Sequence, residues 1–156
     1  MIAVKDGNRT LYVDGELLAD STSYRRGSTR WIEFKLYKTV NGQYVLSRVG
    51  VSIIYHGAAC ELVTNYNLQE TSHENLELSS IPCERCCPDD SIALIFPEKN
   101  RYWAQVSEQA SAVLDALYKY DDGGARYLTN VAQRLLEDAA KKDKDIANVY
   151  RFEIIE

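Results

Sequence analysis

The residues with the most distinctive chemistry in this chain are a histidine and four cysteines near its middle. His56 and Cys60 are separated by three residues, and Cys83 and Cys86 by two, with Cys87 directly after them. Each pair offers two metal-binding side chains on one turn of chain, and the intervening loop allows the pairs to converge on one ion. The spacing therefore predicts a structural zinc site formed by His56, Cys60, Cys83 and Cys86.

The sequence leaves alternatives open for the fourth ligand and for the thiols themselves. Cys87 or His73 could replace His56 as the fourth ligand. A Cys-x2-Cys pair also occurs in redox proteins, where it opens a helix after a strand, whereas Pro82 and Pro88 flank this pair. Without a metal, the four cysteines would be partly buried free thiols.

A second group of residues, between positions 24 and 31, suits recognition. Tyr24, Arg25, Arg26, Arg30 and Trp31 combine three guanidinium groups with two aromatic rings. Arginine matches phosphate geometry, and aromatic faces stack on unpaired bases. Arginine and aromatic side chains are also common anchors of protein interfaces. The segment predicts a surface that binds nucleic acid or protein, with a solvated loop as the alternative.

A third pattern concerns catalysis. Asp14, followed later by Glu33-Phe34-Lys35 on a strand, loosely resembles the acid…acid-x-Lys signature of the restriction-type nuclease family. The resemblance implies that Asp14 and Glu33 would hold a divalent metal beside the scissile phosphate and that Lys35 would orient the attacking water. It covers only these three residues. No glycine-rich phosphate loop or Ser/His/Asp set can be assembled from the sequence.

Charge and composition favour a binding protein over an enzyme. The net charge is −5, yet residues 1–56 carry eight Lys and Arg against five Asp and Glu, and residues 57–156 carry ten against eighteen. Eleven tyrosines suit recognition surfaces, because tyrosine offers a large contact area with few rotors. We expect a non-enzymatic adaptor or inhibitor that acts through protein contacts. An acidic surface could also block a basic groove, so the target could be a nucleic-acid-handling complex.

Size and hydropathy predict one domain in the cytoplasm. A chain of 156 residues is long enough to bury roughly two-thirds of its unfolded surface. No apolar run approaches about 18 residues, so no membrane span is expected. The first residues lack a charged segment followed by an apolar one, so no secretory signal is expected. In a reducing compartment, clustered cysteines more often bind metal than form disulfides.

Periodicity predicts hairpins in residues 1–56. Residues 2–4 and 11–13 flank a turn, and two longer strands, 31–40 and 44–55, meet at Asn41-Gly42. A two-residue loop would pair Val40 with Gln43. That register would place on one apolar face Ile32, Phe34, Leu36, Val45, Val49 and Val51.

The remainder predicts a change from loop to helix. Residues 57–90 form a Cys/His loop region without periodicity, followed by a hairpin of residues 91–96 and 101–106. Two helices follow, the first capped by Ser107 and the second carrying an apolar stripe from Leu128 to Ala139, and the alternation from Val149 to Ile155 predicts a final strand. The expected fold is α+β, a mainly antiparallel sheet with two C-terminal helices and a zinc-stapled loop.

Overall fold

The computed structural model describes residues 1–26, 28, 30–52, 55–57, 92–94 and 100–151. Antiparallel pairs of strands and three helices make these residues an α+β structure, as predicted. The helices are α1 (Ala110–Leu117), α2 (Asn130–Ala140) and α3 (Lys144–Arg151). The strands are β1 (Ile2–Asp6), β2 (Arg9–Val13), β3 (Gly15–Thr22), β4 (Arg30–Thr39), β5 (Tyr44–Ser52), β6 (Tyr55–Gly57), β7 (Ile92–Leu94), β8 (Arg101–Ser107), β9 (Lys119–Tyr120) and β10 (Arg126–Tyr127).

The chain divides into two compact units. One contains Met1–Ser23, Glu33–Val49 and Tyr102–Glu156, and the other contains Tyr24–Ile32 and Gly50–Arg101. The single domain expected from the sequence stays a prediction. The predicted Cys/His loop, apart from Gly57, lies outside the described residues.

A four-stranded sheet in the order β3-β4-β5-β8 is packed on both faces. Tyr37 and Val45 share a buried cluster with Val4 and Val13 of the β1–β2 hairpin. Their sequence neighbours point to the opposite face, because side chains alternate along a strand. On that face Tyr44 and Lys38 bond to the junction between α2 and α3, and α2 packs against β3. Hairpin and helices therefore enclose the sheet.

The turn between β4 and β5 differs from the expected two-residue loop. The Thr39 N–H donates to the Gln43 carbonyl at 2.8 Å, and the Gly42 N–H donates to the Thr39 carbonyl at 2.9 Å. Gly42 has φ +84°, so the connection is a three-residue loop with a left-handed third residue. The predicted pairing of Val40 with Gln43 is therefore wrong by one residue. Phe34 and Leu36 therefore do not share a face with Val45. Because both faces of the sheet are buried, apolar residues occur on each face and the sequence pattern cannot distinguish the two registers.

The first hairpin forms as predicted, with Ile2 opposite Val13 and Asp6 opposite Arg9. Its turn is anchored to β8. The Gly7 N–H donates to the Tyr102 carbonyl at 2.9 Å, and Asp6 Oδ1 accepts from the Ala104 N–H at 3.1 Å. These two bonds position the hairpin over the sheet. The Ala104 N–H and the side chain of Arg9 hold the pKa of Asp6 below its usual value.

The predicted hairpin of residues 91–96 and 101–106 is wrong in its pairing. Strands occur at β7 and β8, but β7 pairs antiparallel with β6, with His56 opposite Ala93. β8 instead joins the four-stranded sheet. Sequence proximity favours a local hairpin, but pairing is decided by which edge is available in the folded chain.

The helices match the prediction in part. α2 has the expected stripe, with Val131, Leu135 and Ala139 buried, and Thr129 Oγ1 caps it by accepting from the Ala132 N–H at 3.3 Å. α1 begins after Gln109, while the predicted cap Ser107 is the last residue of β8. β8 therefore extends to Ser107, one residue further than the sequence pattern predicted.

The predicted final strand and the count of two C-terminal helices are corrected by α3. Residues 149–151 end this helix rather than begin a strand. Asp143 Oδ1 accepts from the N–H groups of Asp145 and Ile146 at 2.9 and 3.1 Å, which is a helix N-cap. Ile146 is fully buried. The cap by Asp143 and the burial of Ile146 at the first turn of α3 therefore outweigh the alternation in the sequence that predicted a strand.

Candidate functional site

An apolar patch lies where the end of β2, the β4–β5 turn and β8 meet. Tyr12, Val40 and Val106 are 71%, 71% and 48% exposed, and all three line one groove of about 320 Å³. Val13 and Val45 also line the groove and belong to the buried cluster under the hairpin. We call the three exposed residues, Tyr12, Val40 and Val106, the apolar patch.

Local bonds hold the groove in shape. The Val40 N–H donates to the Asp14 carbonyl at 2.9 Å, which ties the residue after β2 to the β4–β5 turn. Thr39 Oγ1 accepts from the Gln43 N–H at 3.0 Å and closes the same turn. Val40 is therefore exposed because its backbone is held in a turn. Among the described lining residues of the groove, only Asp14 carries a charge.

The patch has the properties of a protein-contact surface. Contiguous exposed apolar side chains rimmed by polar residues mark interaction sites, whereas single exposed apolar residues are normal. β2 lies beside the groove and, within the described part of the chain, pairs only with β1. Its other edge can receive an added strand from a partner. No single signal in the sequence located the patch, because its members come from three distant segments.

The arginine segment predicted as a binding surface forms a braced turn. The Ser28 N–H donates to the Arg25 carbonyl at 2.8 Å, and Ser28 Oγ accepts from the Arg25 N–H at 2.9 Å. The rings of Tyr24 and Trp31 meet edge to face, with centroids 4.8 Å apart. Arg25, Arg26 and Arg30 are exposed. The structure thus brings the two predicted aromatic residues together and displays the three arginines.

The nuclease-like residues are only partly assembled. Glu33 and Lys35 line one groove of about 260 Å³, together with Lys5 and Tyr102. Asp14 precedes Gly15, which lies opposite Thr39 at the other end of β4. From Glu33 to Thr39 the strand runs about 20 Å, at about 3.3 Å per residue. Asp14 and Glu33 are therefore too far apart to share a metal ion.

The predicted zinc ligands are not placed by the described residues. Cys60, Cys83, Cys86, Cys87 and His73 lie outside them, and of His56 only the backbone, within β6, is described. In the described part of the chain, no three side chains of His, Cys, Asp or Glu cluster as a metal site would require.

A buried polar network joins the sheet to the helices, and the sequence analysis missed it. Asp143 is 4% exposed, and its carboxylate accepts from Lys38 Nζ at 2.7 Å and from the Tyr44 hydroxyl at 2.9 Å. About a hundred residues separate Asp143 from both partners, so no local pattern connects them. The only signal was an aspartate before a helix-forming segment. The carboxylate accepts two hydrogen bonds from side chains of the sheet and two from the backbone of α3, so the network joins these elements.

The pKa values of the network reflect mutual stabilisation. Burial alone raises the pKa of Asp143, but the bonds from Lys38, the Ile146 N–H and Tyr44 outweigh it and hold the pKa below 3.8. The bond to Asp143 raises the pKa of Lys38. Burial, followed by the bond to Asp143, raises the pKa of Tyr44 to about 12. The ion pair stays charged and Tyr44 stays protonated across the neutral range.

No protein-family model, curated protein or solved structure matches this chain. In the described residues, no helix has the length and apolar character needed to cross a membrane. The chain's own surfaces are therefore the basis for inferring its function.

Proposed function

We propose that the protein is a non-enzymatic binding module, an adaptor or inhibitor that acts through protein contacts. The observation that carries this proposal is the apolar patch, in which Tyr12, Val40 and Val106 stay exposed around one groove. Leaving such side chains in water costs about 25 cal/mol per Å² of apolar surface relative to burial. A partner that covers the groove recovers that free energy.

The groove suits an extended segment of a partner protein. The open edge of β2 offers backbone groups to an added strand, and the groove accepts an apolar side chain from it. Asp14, at the rim, favours a Lys or Arg next to that apolar residue. The partner class is therefore a protein with an exposed strand in which a basic residue neighbours an apolar one.

The arginine turn is a separate candidate surface, and the packing of its aromatic rings favours protein over nucleic acid. Tyr24 and Trp31 are half-buried and pack on each other, so they brace the turn more than they offer faces to bases. Arg25, Arg26 and Arg30 remain exposed for partner carboxylates. Nucleic-acid binding by this turn is the alternative, and binding to a single-stranded oligonucleotide separates the two.

Val40→Asp is expected to abolish partner binding, because it places an unpaired charge in a surface that the partner must desolvate. The measurement is quantitative capture of proteins from extracts of the source cells on immobilised wild type and variant. The amount of a true partner captured on the variant should be at least about tenfold lower than on wild type, which is the loss expected for an interface anchor.

Ser111→Asp is the matched control, because it adds the same charge at an exposed position of α1. A partner lost equally from both variants would contradict the role of the patch. Binding of an oligonucleotide that falls in Arg25→Ala/Arg26→Ala, with a shallower salt dependence, would instead assign the arginine turn to nucleic acid.

The binding module is further proposed to contain a structural zinc ion. The ligands are His56, Cys60, Cys83 and Cys86, with Cys87 as the alternative to His56, and their donor types and spacing support the proposal. When bound, the ion would cross-link the chain around residues 57–90 and supply folding free energy there.

Elemental analysis of protein purified without added metal tests this site. We expect about one zinc per chain in wild type and its loss in Cys83→Ser, since a structural site fails without one of its four ligands. Cys87→Ser should retain the metal if His56 is the fourth ligand. A well-folded wild type without zinc would contradict the site.

A further inference from the structure

A small hairpin between α1 and α2 exposes an unusual set of side chains. It comprises residues 119–127, in which β9 and β10 pair with Tyr120 opposite Arg126 and Lys119 opposite Tyr127. All four residues are exposed, and Tyr120 is 68% exposed.

The hairpin is held rigidly at both ends. At its tip, Asp121 Oδ1 accepts from the Gly123 and Ala125 N–H groups at 2.9 Å each, and Gly124 has φ +84°. At its base, the Arg126 guanidinium lies 4.3 Å from the centre of the Tyr118 ring. The exposed side chains are therefore presented in a preformed arrangement, which lowers the entropy cost of binding.

The hairpin is incomplete as a sheet. Each strand has two residues, and within the described part of the chain each pairs only with the other. Two-stranded hairpins are marginal in water, and further strands normally stabilise them. The outer edges of β9 and β10 can therefore accept a strand.

The charges of the hairpin in one copy are complementary to those of the same hairpin in a second copy. Lys119, in the strand pair farther from the turn, makes its base positive, and Asp121 and Asp122 make its tip negative. Two copies that lie side by side in opposite directions would place each tip beside the other base. A two-fold axis makes every such contact twice.

We propose that this hairpin is a self-association surface, in which two copies of the chain pair their β9–β10 hairpins about a two-fold axis. The Asp122 carboxylate of each copy meets the Lys119 ammonium of the other, the open strand edges adjoin, and Tyr120 and Tyr127 become covered. The surface shares no residue with the apolar patch, so the inference goes beyond the proposed function and does not rest on it. An interface this small gives a weak, concentration-dependent dimer.

Sedimentation equilibrium of the full chain, from micromolar to about millimolar concentration, tests the proposal. Wild type is expected to dimerise, and to dimerise less as salt is raised, because exposed charge pairs are screened. Asp122→Lys and Lys119→Glu should each weaken the dimer about tenfold or more, since each reversal turns two attractions into repulsions. Asp121 is left unchanged because its carboxylate holds the turn.

The decisive sample is an equimolar mixture of the two variants. In the mixed dimer both tip-to-base contacts again join opposite charges, so association should return to near the wild-type level. Thermal unfolding of each variant checks that the fold is retained. The salt dependence of wild-type dimerisation is a further test that does not rely on any substitution. A monomer at every concentration, a dimer insensitive to both reversals, or a mixture that fails to restore association would overturn the proposal.

Discussion

Replacing Asp143 with alanine is expected to lower the free energy of unfolding by about 2–4 kcal/mol, because α3 loses its cap and the buried Tyr44 hydroxyl loses its hydrogen-bond partner. The carboxylate is 4% exposed and accepts four hydrogen bonds, two from Lys38 and Tyr44 and two from the backbone of α3. Alanine removes the cap of α3 and both links to the sheet. This is a large part of the 5–15 kcal/mol typical of a small protein.

The two partners of Asp143 respond differently to its loss. The Lys38 side chain is 31% exposed, so its ammonium can turn toward water. Tyr44 is 2% exposed, so its hydroxyl stays buried without a partner and carries its full desolvation cost. Asp143→Asn keeps a carbonyl oxygen for the cap and for Tyr44, and we expect it to cost less than alanine.

The network also predicts how stability changes with pH. The pKa of Asp143 is lower in the folded protein than its ordinary 3.8, so this stability is present above about pH 4 and is lost as pH falls below it. The pKa values of Lys38 and Tyr44 are raised, Tyr44 to about 12, so their contribution is present below about pH 10 and is lost as pH rises further. The alanine variant should lose less stability than wild type at both extremes.

Chemical denaturation of wild type, both Asp143 variants and Asp138→Ala provides the measurement. Asp138 forms an exposed ion pair with Lys141 at 3.6 Å, so its replacement should cost less than about 1 kcal/mol. Equal, small losses at positions 143 and 138 would show that the buried network contributes little.

Gly15→Ala is the second substitution with a large expected effect, a loss of at least about 2 kcal/mol. Gly15 begins β3 opposite Thr39. A Cβ atom there would collide with the Lys38 carbonyl oxygen and lie 2.7 Å from Thr39 Cα. Both obstacles are backbone atoms of a central strand and cannot move aside as a flexible side chain would. The variant must part β3 from β4 at this end of the sheet.

Gly123→Ala is the matched control for the same chemical change. Its Cβ would meet only Asp121 Oδ1, at an ordinary contact distance of 3.5 Å. Denaturation midpoints of the two variants should therefore differ by most of the expected loss, with Gly123→Ala near wild type. Similar midpoints for both variants would mean that the strands accommodate a side chain at Gly15.

Prediction from sequence succeeded where the signal is local. The first hairpin and α2 each carry their pattern within a dozen residues, and both form as expected. The β4–β5 hairpin was found but its register was wrong, because the sheet is buried on both faces and the apolar pattern cannot choose between two loop lengths. Tyr120 and Tyr127, on either side of residues 121–124, form a hairpin that no helix pattern predicts.

The candidate sites divide in the same way. The arginine segment was readable because its residues lie within eight consecutive positions, and the structure adds the contact between Tyr24 and Trp31. The apolar patch was invisible, since Tyr12, Val40 and Val106 are ordinary strand or turn residues until folding leaves them exposed around one groove. The zinc ligands remain a prediction from spacing alone.

The amino-acid sequence by itself determined the α+β class, the positions of most strands and the helix α2, because periodicity and turn chemistry act over a few residues. Only the tertiary structure decided the partner of β7, the replacement of a final strand by α3, the network around Asp143 and the exposure of the apolar patch. Each of these depends on residues tens to a hundred positions apart. Their contact free energies, rather than local preference, select the final arrangement.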